Sequence, residues 1–133
     1  MRFNVQNLQF EKGRILPIDG EKTLIYQLFL NLLGNAIKYS SNKTTPIIGI
    51  NSQIEEGYVL YKIWDNGIGM SVEETERIFE IFHRLPNAMQ FDGSGVGLSI
   101  VKRITDRLNA KISVDSKPNQ GTIFEIKFPI IEN

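Results

Sequence analysis

IIGINSQIEEGYVLYKIWD, residues 47–65, alternates apolar and polar side chains on either side of a Glu55-Glu56-Gly57 break. Ile48, Ile50 and Ile54 recur at the period of two that puts side chains on one face of a strand. Val59, Tyr61 and Ile63 repeat that period on the return. The spacing predicts an antiparallel hairpin, closed off upstream by Pro46, whose second strand delivers Asp65 to the edge of a sheet.

Upstream of the hairpin the period changes. Leu24, Leu28 and Leu32, with Ile25, Phe29, Leu33 and Ala36, form an apolar stripe at helical spacing. They predict a helix from about Glu21 to about Ser40, with Asp19 where an N-cap is wanted. Phe3 to Leu8 reads as a short edge strand and Glu11-Lys12-Gly13 as a turn. Downstream, Ser71-Val72-Glu73-Glu74 is a capping box that should start a short helix carrying Ile78 and Phe79 and ending before Arg84. Leu85 to Gly95, with Pro86, Asn87, Asp92, Gly93 and Gly95, has little apolar periodicity and reads as a lid-like loop. Leu98, Val101, Ile104 and Leu108 mark a helix. Ile112 and Val114 mark a strand, Pro118-Asn119-Gln120-Gly121 a turn, and Thr122, Phe124, Ile126 and Phe128 one face of a last strand. Helices and mostly antiparallel strands in this order predict an α+β fold: a two-layer sandwich whose mixed, mostly antiparallel sheet is covered on one face by helices.

The 133 residues suffice for one core and are too few for two, so residues 1–133 are expected to form a single domain. Lys plus Arg and Asp plus Glu number 15 each, which leaves no global field to recruit nucleic acid or anionic lipid. The absence of cysteine excludes disulfides, thiolate metal sites and thiol nucleophiles, in agreement with a reducing compartment. No apolar run approaches the roughly 18 residues that a membrane-spanning helix requires, so no membrane segment is expected in this fragment.

Three clusters carry the chemistry. Asn31, Asn35 and Lys38 fall within an arc of roughly 60° on the long helix, with Tyr39 beside them. Two carboxamide oxygens and an ammonium suit a magnesium-bound phosphate chain, although an isolated Asn pair is more often an ordinary solvated helix face. Asp65-Asn66-Gly67-Ile68-Gly69-Met70 comes directly after a strand, so its glycines let the backbone turn and approach a flat ligand. Asp65 can accept from an exocyclic amine such as that of adenine; a tight turn capped by Asp and Asn is the plainer alternative. Gly93-Ser94-Gly95-Val96-Gly97-Leu98 runs into a helix, where successive N–H groups and the helix dipole can cradle phosphate. By itself it also fits a flexible linker capping a helix, and it matches neither the P-loop nor the dinucleotide fingerprint.

In combination the clusters are more specific. Asn31-Leu-Leu-Gly-Asn35-Ala-Ile-Lys38-Tyr39-Ser, Asp65-Asn-Gly-Ile-Gly-Met, Ile78-Phe79-Glu-Ile-Phe82-His-Arg84, Gly93-Ser-Gly-Val-Gly-Leu-Ser and Gly121-Thr122-Ile-Phe124 succeed one another in order. This series resembles the catalytic ATP-binding domain of sensor histidine kinases, over about Ile15 to Pro129. The resemblance implies the Bergerat ATP-binding sandwich, with ATP and Mg²⁺ as cofactors. It implies Asn35 as the principal Mg²⁺ ligand, Asn31 one turn earlier as a second candidate ligand or phosphate support, Lys38 as a phosphate contact and Tyr39 as an aromatic packed on adenine. Asp65 would read the adenine amino group, Gly67 and Gly69 would shape the base pocket, and Met70 would line it or fill a gap. Phe79 and Phe82 would anchor the lid, and Arg84 would reach the γ-phosphate. Gly93, Gly95 and Gly97 would let the lid wrap the phosphates, Leu98 would line the pocket, and Thr122 would make a water-mediated adenine contact.

The same resemblance bears on the reaction. Related ATP-hydrolysing branches commonly place a Glu where this chain has Asn31, and a carboxamide cannot take a proton from water at neutral pH. Transfer to a histidine on a separate helical dimerisation domain is therefore expected, with a response regulator downstream. The sole histidine, His83, precedes Arg84 rather than an acid and is read as a lid or packing residue. Trp64 and Phe124 are read as core. An ATPase or serine kinase of the same superfamily and a non-catalytic docking module are the alternatives; Asn31 argues against the first, and Asn35, Asp65 and the three lid glycines against the second. The fragment is expected to be cytoplasmic and, without dimerisation helices, monomeric.

Overall fold

The computed structural model describes residues 7–79 and 97–131. Among them the elements run β1 (Gln9–Lys12), α1 (Lys22–Ser40), β2 (Ile47–Glu55), β3 (Tyr58–Asp65), α2 (Val72–Thr75), α3 (Gly97–Arg107), β4 (Lys111–Lys117) and β5 (Gly121–Pro129). The strands of these residues form one sheet in the order β1-β2-β3-β5-β4. β1 pairs parallel with β2, and every other pairing is antiparallel. Helices α1 and α3 lie together on one face, so the fold is the α+β sandwich that the sequence predicts.

The core forms where the two periodicities meet. Leu28 and Leu32 of α1 and Val101 and Ile104 of α3 are buried against Ile50, Ile63, Ile126 and Phe128 of the sheet. Burying each such side chain stabilises the fold by about 1.5–3 kcal/mol. Tyr61 sits at the middle of an aromatic group, its ring centroid 5.2 Å from Phe29 and 5.9 Å from Phe128. Its hydroxyl donates to the Leu16 carbonyl, which ties the segment before α1 to the sheet. The opposite face of the sheet carries polar pairs such as Lys62 and Glu125, 3.7 Å apart. Among the described residues no helix is long and apolar enough to cross a membrane.

Several local expectations need correction. Leu8 lies outside a strand, while Glu11 and Lys12, read as turn, belong to β1. Their conformation is imposed by parallel pairing with Gly49 and Ile50, residues far along the chain, and carries no local signature. Residues 3–6 of the expected edge strand lie outside the described residues. Asp19 does not cap α1: its Oδ2 accepts the Ile131 N–H at 3.0 Å, and the N-cap is Glu21, which makes no side-chain cap. A tertiary hydrogen bond to the end of the sheet has taken the carboxylate away from its neighbours. The capping box at Ser71 and Glu74 is formed, but α2 stops at Thr75, and Ile78 reaches the core from the turn beyond it. Ile54, at the hairpin tip, is 64% exposed because the helical layer does not extend over it. Trp64 is half-buried on the face away from the helices, in register with Gly49, whose missing side chain makes room for the indole. It is therefore not part of the main core, and its Nε1 donates to Glu11 at 3.1 Å. Finally, β3 is the middle strand of the order, so Asp65 ends the central strand rather than an edge of the sheet.

Candidate functional site

Strand β3 places Asp65 between Ile48 of β2 and Thr122 of β5 and then stops. The turn from Asn66 to Met70 is held by backbone hydrogen bonds together with the side chains of Asp65, Asn66 and Ser116. Asn66 N–H donates to Ile47 O at 3.1 Å, and its carboxamide spans the loop before β2, accepting from Ile47 N at 2.9 Å and donating to Thr45 O at 3.0 Å. Asn66 is thus a structural clamp rather than a ligand group. Gly67 N–H turns back onto Asp65 Oδ1 at 2.8 Å. Ile68 N–H donates to the Tyr39 carbonyl at 3.0 Å, and Ile68 O accepts from Asn119 N at 2.7 Å. Gly69 has φ +66, and a Cβ there would overlap the Lys117 carbonyl oxygen. A Cβ on Gly67 would likewise overlap the Tyr39 carbonyl oxygen. The turn is therefore wedged between the end of α1 and the β4–β5 hairpin, and only glycine fits both contacts.

The wedge opens a cleft lined by Asn35, Ala36 and Tyr39 of α1, Asp65, Ile68, Gly69 and Met70 of the turn, Leu98 of α3, and Thr122 and Phe124 of β5. Its lining is mainly apolar, with the Asp65 carboxylate, the Asn35 carboxamide and the Tyr39 and Thr122 hydroxyls as its polar side-chain groups. Burial pushes the Asp65 carboxyl up to about 6, with the Gly67 N–H pulling the other way. Its Oδ2 has no protein hydrogen bond among the described residues. A carboxylate held short of partners in an apolar slot favours a ligand that brings an N–H donor. Burial also pushes the Tyr39 hydroxyl up. Thr122 is 7% exposed, and its hydroxyl lies 2.9 Å from Ser116 Oγ.

The structure thus gathers Asn35, Tyr39, Asp65, Gly69, Met70, Leu98 and Thr122 around one cavity, with Gly67 behind Asp65. Gly97 opens α3 beside Leu98. Asn31 and Lys38 lie outside the lining; Asn31 Nδ2 donates back along α1 to Gln27 O at 2.8 Å. Phe79 packs on Phe124, ring centroids 6.4 Å apart. Phe82, His83, Arg84, Gly93 and Gly95 lie outside the described residues. Phe124 belongs to the core, as expected, yet one side of it also faces the cleft. Ala36 and Ile68 line the cavity unannounced, since small and aliphatic side chains look alike in core and pocket. Ser116 was open to detection: a hydroxyl at an inward position of β4, in phase with Ile112 and Val114, needs a polar partner.

Among the described residues no three His, Cys, Asp or Glu side chains cluster to hold a metal ion. A divalent cation at this cleft would instead meet the neutral oxygen of Asn35, with Asn31 one turn earlier. Such a sparse set of hard oxygen donors fits Mg²⁺ arriving with phosphates and water, and does not fit zinc.

Residues 20–132 match the family described as histidine kinase-, DNA gyrase B- and HSP90-like ATPases. The chain is 33% identical over 129 residues to the phytochrome-like protein Cph1 of Synechocystis, covering 97% of this chain and 17% of that protein. It is 37% identical over 126 residues to the sensor histidine kinase YcbM of Bacillus subtilis, covering 86% of this chain and 40% of that one. It therefore spans well under half the length of either relative. The fold superposes on the mycobacterial sensor histidine kinase MprB with a TM-score of 0.82 at 29% identity, over 92% of this chain and 84% of the other.

Proposed function

The chain belongs to the family of histidine kinase-, DNA gyrase B- and HSP90-like ATPases, and from that premise we propose that it binds Mg-ATP in the Asp65 cleft and donates the γ-phosphoryl group to a histidine on a separate helical dimerisation domain. The observation that carries this reading is the convergence of α1, the Asp65–Met70 turn, the start of α3 and the start of β5 on one cavity. Adenine would slide between the apolar walls, its amino group meeting Asp65, while the phosphates extend toward Asn35 and the N-terminus of α3, the positive end of whose dipole favours anions. Asn35, with Asn31, would hold Mg²⁺, which when bound offsets charge on the phosphoryl oxygens. Lys38 and Arg84 are proposed as phosphate contacts, Phe82 as a lid anchor, and Gly93, Gly95 and Gly97 as the hinges of the lid.

Neither Asn31 nor Asn35 can act as a general base, so water is not activated from this face of α1. That supports transfer to an acceptor supplied by another domain over hydrolysis. Such a module would work within two-component signalling, with a response regulator downstream, and would be monomeric in isolation. Titration with a non-hydrolysable ATP analogue, with and without Mg²⁺, tests the reading. Saturable binding strengthened by Mg²⁺ is expected; absence of binding to any adenine nucleotide would refute it.

A further inference from the structure

Ser116 of β4 stands just outside the cleft lining and joins the Asp65–Met70 turn to the start of β5. Its Oγ is 2.9 Å from Met70 N, 2.8 Å from Gly121 O and 2.9 Å from Thr122 Oγ1. A hydroxyl has one proton and two lone pairs. The Met70 N–H only donates and the Gly121 carbonyl only accepts. The single Ser116 proton therefore goes to Gly121 O, and its lone pairs receive the Met70 N–H and the Thr122 hydroxyl. The reverse arrangement would leave the Ser116 and Gly121 oxygens 2.8 Å apart with no proton between them. In this part-buried setting that contact is unfavourable.

The consequence reaches the cleft. With its proton committed to Ser116, Thr122 shows the cavity only lone pairs. Asp65, its cross-strand neighbour, has Oδ1 occupied by Gly67 N–H and shows Oδ2, again an acceptor. We propose that Ser116 is a positioning residue that sets base selectivity by locking the Thr122 hydroxyl as an acceptor, so that a 6-amino purine is admitted and a 6-oxo purine is rejected. A 6-amino group carries two N–H bonds and can donate to Asp65 Oδ2 and Thr122 Oγ1 together, whereas a 6-oxo group brings only lone pairs to both. This inference rests on the reading of the cleft as an adenine-nucleotide site.

The test compares ATP with inosine 5′-triphosphate as competitors of a fluorescent ATP analogue at pH 8, where Asp65 is ionised. It uses the parent chain, Ser116→Ala, Thr122→Val and the double variant. Ser116→Ala frees the Thr122 hydroxyl to rotate and donate to a 6-oxo group, so the preference for ATP over inosine triphosphate should shrink by roughly five- to tenfold, the order of one hydrogen bond. In the Thr122→Val background the same change should leave the preference unmoved. If Ser116→Ala weakens both nucleotides equally, the residue is merely structural and the proposal falls. It falls too if the preference shifts equally without Thr122. Should the alanine variant lose its cooperative thermal transition, Ser116→Cys, which keeps the size but accepts weakly, must shift the preference in the same direction. A parent chain that binds no ATP would sink the nucleotide reading itself; ATP binding with an unmoved preference sinks the selectivity alone.

Discussion

At the Asp65 end of the cleft, the backbone of the turn is itself fixed, by hydrogen bonds to three other segments and by glycines that abut carbonyl oxygens, whereas at the α1 end the polar groups ride on side chains of one helix. The difference is one of preorganisation. A backbone wedge cannot adjust without moving three segments at once, so it suits a rigid planar base. Carboxamides on a helix can rotate, and Asn31 has turned to a carbonyl of its own helix, which suits phosphates and a hydrated ion that arrive together.

Gly69→Ala should break the comparison most severely. The added methyl meets the Lys117 carbonyl at a backbone with φ +66, so a loss of roughly 2–4 kcal/mol of stability is expected, with nucleotide binding abolished. Gly57→Ala is the matched control, since φ there is +83 but nothing lies within 4 Å. Denaturant unfolding should show a loss of only about 1 kcal/mol for it. Equal losses at the two sites would mean that the wedge contributes nothing beyond the φ requirement.

Asp65→Asn comes next and should separate function from stability. Adenine-nucleotide affinity should fall by roughly 10- to 100-fold, because a hydrogen bond to a charged group is lost and the amide NH₂ can face the base's own donor. The nucleotide-free variant, in contrast, should melt at a higher temperature than the parent at pH 8. The sign is set by the carboxyl being pushed from an ordinary 3.8 to about 6 in the folded chain. The folded state then holds the proton more tightly than the unfolded one, so this group's contribution to stability falls as pH rises through that window and is least favourable above about 6. Nucleotide affinity should run the other way, weakening as pH drops through about 6 in the parent. Melting curves and titrations across pH 5–8 check both slopes, and a parent-like pH profile in the variant would remove Asp65 as their source.

At the α1 end the effects should be smaller and tied to the metal. Asn35→Ala should reduce the Mg²⁺-dependent gain in ATP affinity to near unity while leaving metal-free ADP binding within about threefold, as isothermal titration can measure. Asn31→Ala should be the mildest, with stability changed by about 0.5 kcal/mol or less, since only a local hydrogen bond to Gln27 O is lost. A large stability loss from Asn31→Ala would mean that the α1 end is as tightly built as the Asp65 end.

Elements whose decisive contacts are local were legible in the letters. Leu24 to Ala36 repeat at helical spacing and Ile47 to Asp65 at strand spacing, because one buried face selects those periods whatever lies opposite. β1 and Asp19 were not legible, because their partners, Ile47 to Ile50 and Ile131, lie far along the chain. The cleft divides the same way. Asp65, Gly69 and Thr122 stand out as residue types, while the roles of Asn66, Ser116 and Asn119 depend on which carbonyl or amide the fold brings beside them.

The order of residues alone therefore determined the α+β class, the long helix, the central hairpin and the kinds of group offered to a ligand. Only the tertiary structure decided that β3 is central, that Asn31 turns back onto its own helix, that Asp65 is held short of partners, and which way the Thr122 proton points. Periodicity is a property of one segment meeting any apolar layer, but protonation and hydrogen-bond direction belong to groups that several segments bring together.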